Sequence, residues 1–457
     1  MSTRRIPAFA GELIEPGDPR YERARRVWNH AVDRRPALIA RCGSTQDVVN
    51  AMGMAHQSGM TVSVRGGGHH FAGLGVCDGG LVIDLSPMKR ISVNAEGATA
   101  LVQPGVTWGE LDAATQAFGL ATTGADVPSV GVAGCTLPGG LGWLHRVAGL
   151  SCDNLLSAEV VTATGQVLRA APDEHDDLFW ALRGGGGNFG IVTDLEFRLH
   201  PVREVLGGML LYPYDRAREA LHTYHELSQS ASDDLFLRAM LVTAPPAPFV
   251  PADLRGRPAA LLSAAYFGPP GESERVLRPL RELGPAAADL IRPMSYLALQ
   301  RLTAEGIPPD VRAYVKSEWL SGLSGDVIDD LAGRAATPSS PASIVELQPL
   351  GGAASRVGAA DTAVAWRRAA HLVAVIGLSP TGISEEATKE WVRTTWAAAL
   401  PASAGGGYSG NLMDDEGAER VRASYGSAYA GLARIKSRYD PGNFFRVNAN
   451  VAPGTGA

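Results

Sequence analysis

The sequence has few of the features that mark several protein classes. It contains only four cysteines, at positions 42, 77, 135 and 152, and no two of them form a CxxC pair. This spacing argues against a zinc ribbon and against a disulfide framework. No stretch approaches the ~20 consecutive apolar residues that a transmembrane helix requires. We therefore expect neither a metal site nor a membrane span.

An excess of positive charge is also absent. Lys and Arg total 41 against 47 Asp and Glu, so the net charge is −6. A chain of this charge is not expected to take nucleic acid or an anionic membrane as its main partner. The Arg4-Arg5 pair is not followed by a continuous apolar segment. We interpret it as a solvated terminus rather than an export signal, and we expect a cytoplasmic protein.

Glycine, proline and apolar residues are abundant. The chain has 457 residues with 54 Gly, 30 Pro and a 45% hydrophobic share, enough for two or three domains with a sizeable core. Residues 1–200 alternate short β-branched strands with glycine-rich turns. Residues 201–405 place long Ala/Arg/Leu helices between apolar strands, which predicts an α+β domain with a sheet covered by helices on one face. Near the end, one helix is predicted over 416–438.

Local capping signals predict two helices in the first part. Ser44 or Thr45 is a favourable N-cap, and Gly59 is a natural left-handed stop, so a helix is expected between them. Thr107 and Glu110 have capping-box spacing and predict a second helix to about residue 118. Hairpins are predicted to turn at 96–97 and 164–165.

Four glycine-rich segments occur before residue 191, at 65–70, 131–134, 138–142 and 183–190. Glycine allows backbone N–H groups to approach an anion because no Cβ intervenes. Several such loops indicate a large phosphorylated ligand. The last segment contains GxGxxG, but the residues after it are typical of a strand and no early βαβ unit is present. A Rossmann NAD site is therefore not expected.

These segments, in this order, resemble the berberine-bridge-enzyme family of FAD-linked oxidases, within the vanillyl-alcohol oxidase / p-cresol methylhydroxylase superfamily. The resemblance spans nearly the whole chain and is weakest across 205–400. It implies a two-part FAD-binding domain, formed by residues 1–200 and the returning segment 406–457, and an α+β substrate domain at 201–405 with an antiparallel sheet covered by helices. Seven segments carry it: RRPALIARC (34–42), VRGGGHHFAG (64–73), VCDGGLVIDLS (76–86), VQPGVTWGELD (102–112), residues 131–165, LFWALRGGGGNFGIVT (178–193) and YDPGNFFRVNANV (439–451).

In this family, the histidine after RGGG is joined through a ring nitrogen to the C8-methyl carbon of the flavin. The resemblance therefore implies covalent FAD on His69. Some relatives add a second bond from a Cys in C-P-T-V-G-V-G-G, but this chain has Val127 there, which cannot form a thioether. Cys135 is expected to be a small buried residue, and His70 a hydrogen-bonded polar neighbour. A single covalent attachment is the prediction.

The resemblance implies further cofactor contacts in the glycine loops, in the 124–154 segment and in the tail. The glycines would present backbone N–H groups to the pyrophosphate and flavin, and position 192 would meet the adenine end. The two tail asparagines would bind the pyrimidine edge of the flavin, or else satisfy their own local backbone. The residues are Arg65, Gly66, Gly67, Gly68, His70, Gly73, Gly124, Val127, Ser129, Gly131, Gly134, Cys135, Gly140, Gly142, Asp153, Asn154, Val192, Asn448 and Asn450.

Two residues are candidates for the catalytic base. The family commonly places a Tyr from a Y-x-N segment over the flavin, and here Tyr408 is followed by one extra residue before the Asn. Either Tyr408 keeps this role or Ser409 replaces it. Glu346 shares one face of a predicted strand with Ile344 and Gln348. It is either solvent-exposed or buried with a raised pKa. Lower-ranked pocket candidates, which packing or solvation also explains, are Lys316, Trp319 and His145.

The resemblance implies an oxidoreductase that transfers a hydride from an organic substrate to flavin N5, with O₂ as acceptor and H₂O₂ as product. Sugar-oxidising relatives often use the doubly attached flavin, so Val127 favours a secondary metabolite such as a polyketide or phenolic compound. A sugar or oligosaccharide oxidase, and an oxygenating or redox-neutral cyclising enzyme, remain alternatives. A flavin-binding protein without turnover is a competing class.

Overall fold

The computed structural model of the chain describes residues 9–302, 310–408, 410, 412–414 and 417–454. Arg4, Arg5, Ser409, Asn411 and the predicted helix start at 416 lie outside these ranges. Within the described ranges, no helix combines the length and the apolar character needed to cross a membrane.

Residues 9–201 form short strands and short helices. The strands are β1 (Glu12–Ile14), β2 (Leu38–Arg41), β3 (Val62–Arg65), β4 (Leu81–Asp84), β5 (Ile91–Asn94), β6 (Thr99–Val102), β7 (Leu120–Ala121), β8 (Leu155–Val161), β9 (Val167–Ala170), β10 (Ile191–Arg198) and β11 (His200–Pro201). The helices are α1 (Tyr21–Ala24), α2 (Thr45–Ser58), α3 (Trp108–Gln116), α4 (Val132–Thr136), α5 (His145–Ala148) and α6 (Asp176–Leu182).

Two main sheets organise these strands. A four-stranded sheet has the order β1-β2-β4-β3, in which β4 runs parallel to β2 and β3 while β1 is antiparallel to β2. A five-stranded antiparallel sheet has the order β5-β6-β10-β8-β9. The hairpins β5–β6 and β8–β9 turn where they were predicted to turn. Residues after the GxGxxG segment form strand β10 rather than a helix, as expected.

The capping predictions for α2 and α3 are confirmed. The Ser44 hydroxyl accepts a hydrogen bond from the backbone N–H of Asp47, and Gly59 ends the helix at φ +68°. Thr107 and Glu110 form the reciprocal capping box at the start of α3. These signals act within four residues and need no tertiary partner, which is why the sequence alone locates them.

The second part contains longer strands and helices. The strands are β12 (Glu204–Pro213), β13 (Leu235–Thr243), β14 (Pro258–Tyr266), β15 (Ala288–Asp289), β16 (Arg292–Ser295), β17 (Arg312–Leu320), β18 (Ile344–Pro349) and β19 (His371–Ser379). The helices are α7 (Ala217–Ser230), α8 (Ser273–Glu282), α9 (Tyr296–Arg301), α10 (Gly325–Ala335), α11 (Gly352–Arg356), α12 (Glu385–Ala397), α13 (Ala418–Tyr425) and α14 (Tyr429–Tyr439).

These strands build one antiparallel sheet with the order β15-β12-β14-β13-β18-β19-β17, and β16 also pairs with β12. Leu237, Val345 and Val373 point from it into a core shared with α7, α8, α10 and α12. The opposite face meets the first part of the chain, where Phe236 packs on Trp143. An α+β fold with a sheet covered by helices on one face is therefore confirmed.

One predicted helix is two helices in the structure. The segment predicted as a single helix over 416–438 forms α13 and α14, separated by Gly426. Gly426 has φ +47°, a conformation that favours glycine and that a regular helix does not contain. The prediction was wrong because it weighed the apolar periodicity above this glycine.

The tail returns to the first part of the chain through a buried lysine. Lys436 is fully buried, and its ammonium donates to Asp440 Oδ2 at 2.6 Å, to the Asn188 carbonyl at 2.7 Å and to the Phe445 carbonyl at 2.8 Å. The Asn188 side chain accepts from the backbone N–H of Val451 at 2.9 Å. These contacts bring the tail beside the glycine loop at 183–190.

Candidate cofactor site

A cavity lies where the glycine loops and the tail meet. Its lining comes from four stretches within 62–75, 130–138, 186–192 and 445–449, together with Leu85, Gly410 and Tyr425. The predicted cofactor-binding residues found in this lining are Arg65, Gly66, Gly67, Gly68, His69, His70, Gly131, Gly134, Cys135, Val192 and Asn448. The fold therefore gathers these positions, although more than half of the chain separates the first from the last.

Two of the loops touch through their backbones. A Cβ on Gly131 would lie 2.5 Å from the Gly67 nitrogen, and a Cβ on Gly67 would clash with the Gly131 nitrogen. Only glycine at both positions allows this approach. Because the contact is between main chains, it fixes the 65–70 loop against the 127–134 loop.

His69 is held on two sides. Its Nε2 lies 2.8 Å from Ser129 Oγ. Its ring stacks on Trp28, with centroids 4.6 Å apart and planes inclined by 21°. Burial lowers the pKa of His69 to about 4, so the imidazole is neutral at neutral pH. Ser129 is therefore in contact with His69 although it does not line the cavity.

The residues present fit a bound FAD. A Cβ on Gly134 or Gly187 would meet no protein atom within 4 Å, so the backbone there faces open space in the cavity. Asn448 donates from Nδ2 to the carbonyls of Gly187 and Phe445, each at 3.1 Å. The buried Oδ1 atoms of Asn448 and Asn450 accept no hydrogen bond from the described residues. Such acceptors suit the N–H group of a flavin pyrimidine ring.

Other lining residues have roles within the protein. Arg65 makes a two-pronged ion pair with Asp84, at 2.8 and 3.3 Å. The His70 Nδ1 accepts from the backbone N–H of Ala72 at 3.1 Å, which matches its prediction as a satisfied polar neighbour. Cys135 is buried, and burial raises the pKa of its thiol to about 11. Its sulfur is therefore a neutral thiol at neutral pH.

Several predicted cofactor contacts lie outside the lining and serve packing. A Cβ on Gly142 would clash with the Gly124 carbonyl, and a Cβ on Gly124 would clash with the Trp108 indole. A Cβ on Gly73 would lie 2.6 Å from the Val32 side chain. The Val127 side chain packs, partly buried, against the core of the five-stranded sheet. These residues shape the loops rather than line the cavity.

Asp153 and Asn154 are likewise engaged within the protein. Asp153 forms an ion pair with Arg367 and accepts from the backbone N–H of Leu150 at 2.8 Å. Asn154 donates to the carbonyls of Ala148 and Leu150, both at 2.9 Å. The structure therefore uses these two side chains to hold the 148–154 loop, not to line the cavity as their motif had implied.

Tyr408 packs against the loop at 137–140, part of which lines the cavity. The Gly140 N–H donates to its hydroxyl oxygen at 2.9 Å. Its ring makes edge contacts with Trp319 and Trp366, at 5.8 and 5.5 Å between centroids. Burial raises the pKa of Tyr408 well above that of a free phenol, so the hydroxyl keeps its proton at neutral pH.

Glu346 is mostly buried rather than solvent-exposed. Its side chain is 14% exposed, and Arg238 Nε lies 3.6 Å from Oε1. Arg238 also forms an ion pair with Asp126, one residue before Val127. Burial raises the pKa of Glu346, against the opposing effect of Arg238. This cluster links the large antiparallel sheet to the loop that carries Ser129.

Glu346 and Tyr408 approach the same face of the large sheet. Glu346 and Ser317 both pair with Ala374 on β19, so the three side chains share one face and the outer two are roughly 10 Å apart. The Tyr408 backbone N–H donates to Ser317 Oγ at 3.0 Å. The two candidate bases therefore lie on one face, and neither lines the cavity described above.

The lower-ranked candidates are accounted for by packing. Trp319 stacks on Trp366 with centroids 4.0 Å apart. Lys316 lies over the rings of Tyr314 and Trp396, on the helix-covered side. Both ring nitrogens of His145 lie within hydrogen-bond distance of main-chain carbonyls, and burial lowers its pKa to about 4.

Sequence reasoning missed Arg238, Asp126 and Trp28. Arg238 is the one charged residue in the otherwise mostly apolar strand LFLRAMLVT. A charged residue inside an apolar strand is also what identified Glu346, so the same reasoning could have identified Arg238. Asp126 and Trp28 lie in irregular segments, and no periodicity marks them.

Comparison with known proteins decides the family. Residues 36–171 match the family model described as an FAD binding domain, and residues 409–452 match the one described as berberine and berberine like. The (R)-6-hydroxynicotine oxidase of Paenarthrobacter nicotinovorans is 32% identical over 464 residues, which cover 98% of this chain and 97% of that protein. This chain belongs to the berberine-bridge-enzyme-like family of FAD-linked oxidases. It is therefore an oxidoreductase that binds FAD.

Solved structures of family members share the fold. The structure of 6-hydroxy-D-nicotine oxidase from Arthrobacter nicotinovorans has a TM-score of 0.89 and 30% identity, covering 99% of this chain and all of that one at 100%. The BBE-like 1 protein of Physcomitrella patens has a TM-score of 0.86 at 22% identity and shows the fold alone. The predicted family and fold class are confirmed for this FAD-linked oxidase, and so is FAD as the bound cofactor.

Proposed function

We propose that this FAD-linked oxidase oxidises a small organic metabolite with dioxygen as electron acceptor, and that its FAD is attached covalently, once, through His69. When bound, the flavin accepts a hydride at N5 and passes two electrons to dioxygen, which gives H₂O₂. The observation that carries the proposal is the position of the His69 imidazole in the lining of the cavity that the glycine loops share with the tail.

Two kinds of group in the chain would bind the FAD: backbone N–H groups and side-chain amide oxygens. Backbone N–H groups of Gly67, Gly68 and Gly134, which line the cavity, would receive the pyrophosphate. The Oδ1 atom of Asn448, which lines the cavity, would accept from the pyrimidine edge, and Asn450, outside the lining, is the second candidate; neither Oδ1 accepts a hydrogen bond from the described residues.

We propose Glu346 as the group that accepts the substrate proton. Burial raises the pKa of Glu346 and so makes its carboxylate a stronger base, while the positive charge of Arg238 favours the ionised form that accepts a proton. The phenol of Tyr408, the other candidate base, stays protonated and accepts a hydrogen bond from the Gly140 N–H. In this proposal Tyr408 orients the 137–140 loop and the substrate.

Two features support a small metabolite, such as a phenolic or polyketide compound, over a sugar. A glucooligosaccharide oxidase of the same fold is described with a 6-S-cysteinyl, 8α-N1-histidyl FAD. The corresponding second bond is not available to Val127. The relatives at 30–32% identity include an oxidase named for 6-hydroxynicotine, also a small molecule.

All four cysteines are buried and free, which supports a cytoplasmic location.

Acid precipitation tests the attachment. We expect the flavin to stay with the precipitated wild-type protein and to be released from His69→Ala. His70→Ala, which alters the neighbouring histidine of the same cavity, is the matched control and should retain it. Release from the wild type, or retention in His69→Ala, would show that the attachment is wrongly assigned.

Turnover is tested with a panel of phenolic, polyketide, amine and sugar substrates. We expect stoichiometric H₂O₂ with a small metabolite and none with oligosaccharides. Product masses that contain an added oxygen, or that equal the substrate mass without H₂O₂, would favour the oxygenating or redox-neutral alternatives. Flavin that no substrate reduces would favour a binding protein.

A further inference from the structure

Among the described residues other than His69 itself, whose backbone also contacts the ring, Ser129 is the one hydrogen-bond partner of the imidazole nitrogens, at 2.8 Å to Nε2. His69 is half-buried and lines the cavity, so its ring can meet a ligand that enters there, while Ser129 contacts the ring from an exposed position outside the lining. The contact joins residues 60 apart in sequence. Nothing in the proposed oxidation of a substrate requires it.

A neutral imidazole carries one N–H and one nitrogen lone pair. Only the nitrogen with the lone pair can form a bond to carbon. A hydroxyl oxygen that accepts from Nε2–H stabilises the tautomer whose lone pair is on Nδ1. Burial keeps His69 neutral, since it lowers the pKa to about 4, so the tautomer and not the protonation state decides which nitrogen can react.

We propose that Ser129 is a positioning residue for covalent flavin attachment: its hydroxyl holds Nε2–H and leaves Nδ1 as the nucleophile that bonds the C8-methyl carbon. This inference rests on the proposed attachment at His69. In the step, the Nδ1–C8α bond forms and one C8α hydrogen leaves as a proton. The Nε2 proton passes toward Ser129 Oγ and then to water. Two electrons remain on the flavin ring, and dioxygen removes them to give H₂O₂.

The surroundings make this pairing rigid. Gly67 and Gly131 press the two loops together at the backbone, two residues from His69 and two residues from Ser129. Trp28 covers one face of the imidazole, and its own backbone N–H donates to the Gly68 carbonyl at 3.0 Å. The imidazole ring therefore cannot rotate freely. With Nε2 held by Ser129, Nδ1 faces away from the Ser129 hydroxyl.

The test follows covalent incorporation in the full-length chain. Flavin-free protein from a riboflavin-starved host is mixed with FAD, and acid-stable flavin is measured over time. Ser129→Ala should bind FAD but incorporate it about tenfold more slowly, as expected for one lost hydrogen bond. Ser129→Thr keeps the hydroxyl and should restore the rate. Thr115→Val removes a buried hydroxyl from helix α3, away from the cavity, and should incorporate FAD at the wild-type rate.

A second measurement reads the tautomer directly. With ¹⁵N-labelled histidine in the flavin-free chain, His69 should show Nε2–H in the wild type and in Ser129→Thr, and a tautomer mixture in Ser129→Ala. Wild-type incorporation in Ser129→Ala, or an Nδ1–H wild-type imidazole, would overturn the role of Ser129 and leave attachment at His69 intact. Acid-stable flavin in His69→Ala would instead refute the attachment itself, so the two failures are distinguishable.

Discussion

Asp112 is a buried carboxyl group where the two parts of the chain meet. It lies in α3 with 1% exposure, and Gln300 of α9 donates from Nε2 to its Oδ2 at 2.6 Å. Burial raises the pKa of Asp112 from 3.8 to about 7, against the lowering effect of that hydrogen bond. The folded protein therefore favours the neutral acid.

The size of the effect follows from the two pKa values. A shift of about 3 pH units corresponds to about 4 kcal/mol, at about 1.4 kcal/mol per unit. Between pH 4 and pH 7 the folded protein binds this proton while the unfolded chain has released it. Stability therefore falls as the pH rises through this window, and above pH 7 the whole penalty remains.

Asp112→Asn removes the titrating group and keeps an acceptor oxygen for Gln300. We expect the urea midpoints of wild type and variant to diverge from pH 4 upward, with the variant more stable by up to about 4 kcal/mol above pH 7. Asp173→Asn, at an exposed loop carboxylate, is the control and should follow the wild-type curve. Parallel curves for wild type and Asp112→Asn would refute the raised pKa.

Three further predictions concern the site and the tail. Glu346→Gln should slow substrate-driven flavin reduction by about 10²–10⁴-fold in stopped-flow measurements, whereas Tyr408→Phe should slow it by less than about tenfold. If Tyr408→Phe instead causes the larger loss, Tyr408 is the base. Lys436→Met breaks a buried ion pair and should lower the free energy of unfolding by about 3–5 kcal/mol, while Lys89→Met at the surface should change it little. Gly67→Ala should lower the flavin-to-protein ratio of purified protein, because its Cβ would meet the backbone of the opposing loop; stoichiometric loading would contradict this.

Features that depend on adjacent residues could be predicted from the sequence. The cap at Ser44 and the stop at Gly59 locate α2, because the bonds they make lie within one turn. The strands β12 and β17 were not predicted as strands. Strand β12 contains two consecutive glycines and ends in proline. In β17, only Lys316 and Trp319 were considered, as candidate pocket residues. Both are defined by partner strands that lie far away along the chain.

The candidate site also has features that the sequence predicts and features that it does not. The motif around His69 was sufficient to place it in a cofactor cavity, because glycine loops have a recognisable spacing. The contacts with Trp28 and Ser129, and the cluster of Arg238 with Asp126, arise where separate loops and strands meet. Such pairings depend on the tertiary arrangement, and no local pattern encodes them.

The buried contact between Asn188 and the tail sets an order of events during synthesis. Val451 follows Asn188 by 263 residues, so at roughly 5–20 residues per second the ribosome needs roughly 13–50 s more to deliver it. During that interval the glycine loops exist without one wall of their cavity. We therefore expect flavin capture to be a late step in the maturation of the enzyme, and a nascent chain that stalls before the tail is made to be colourless.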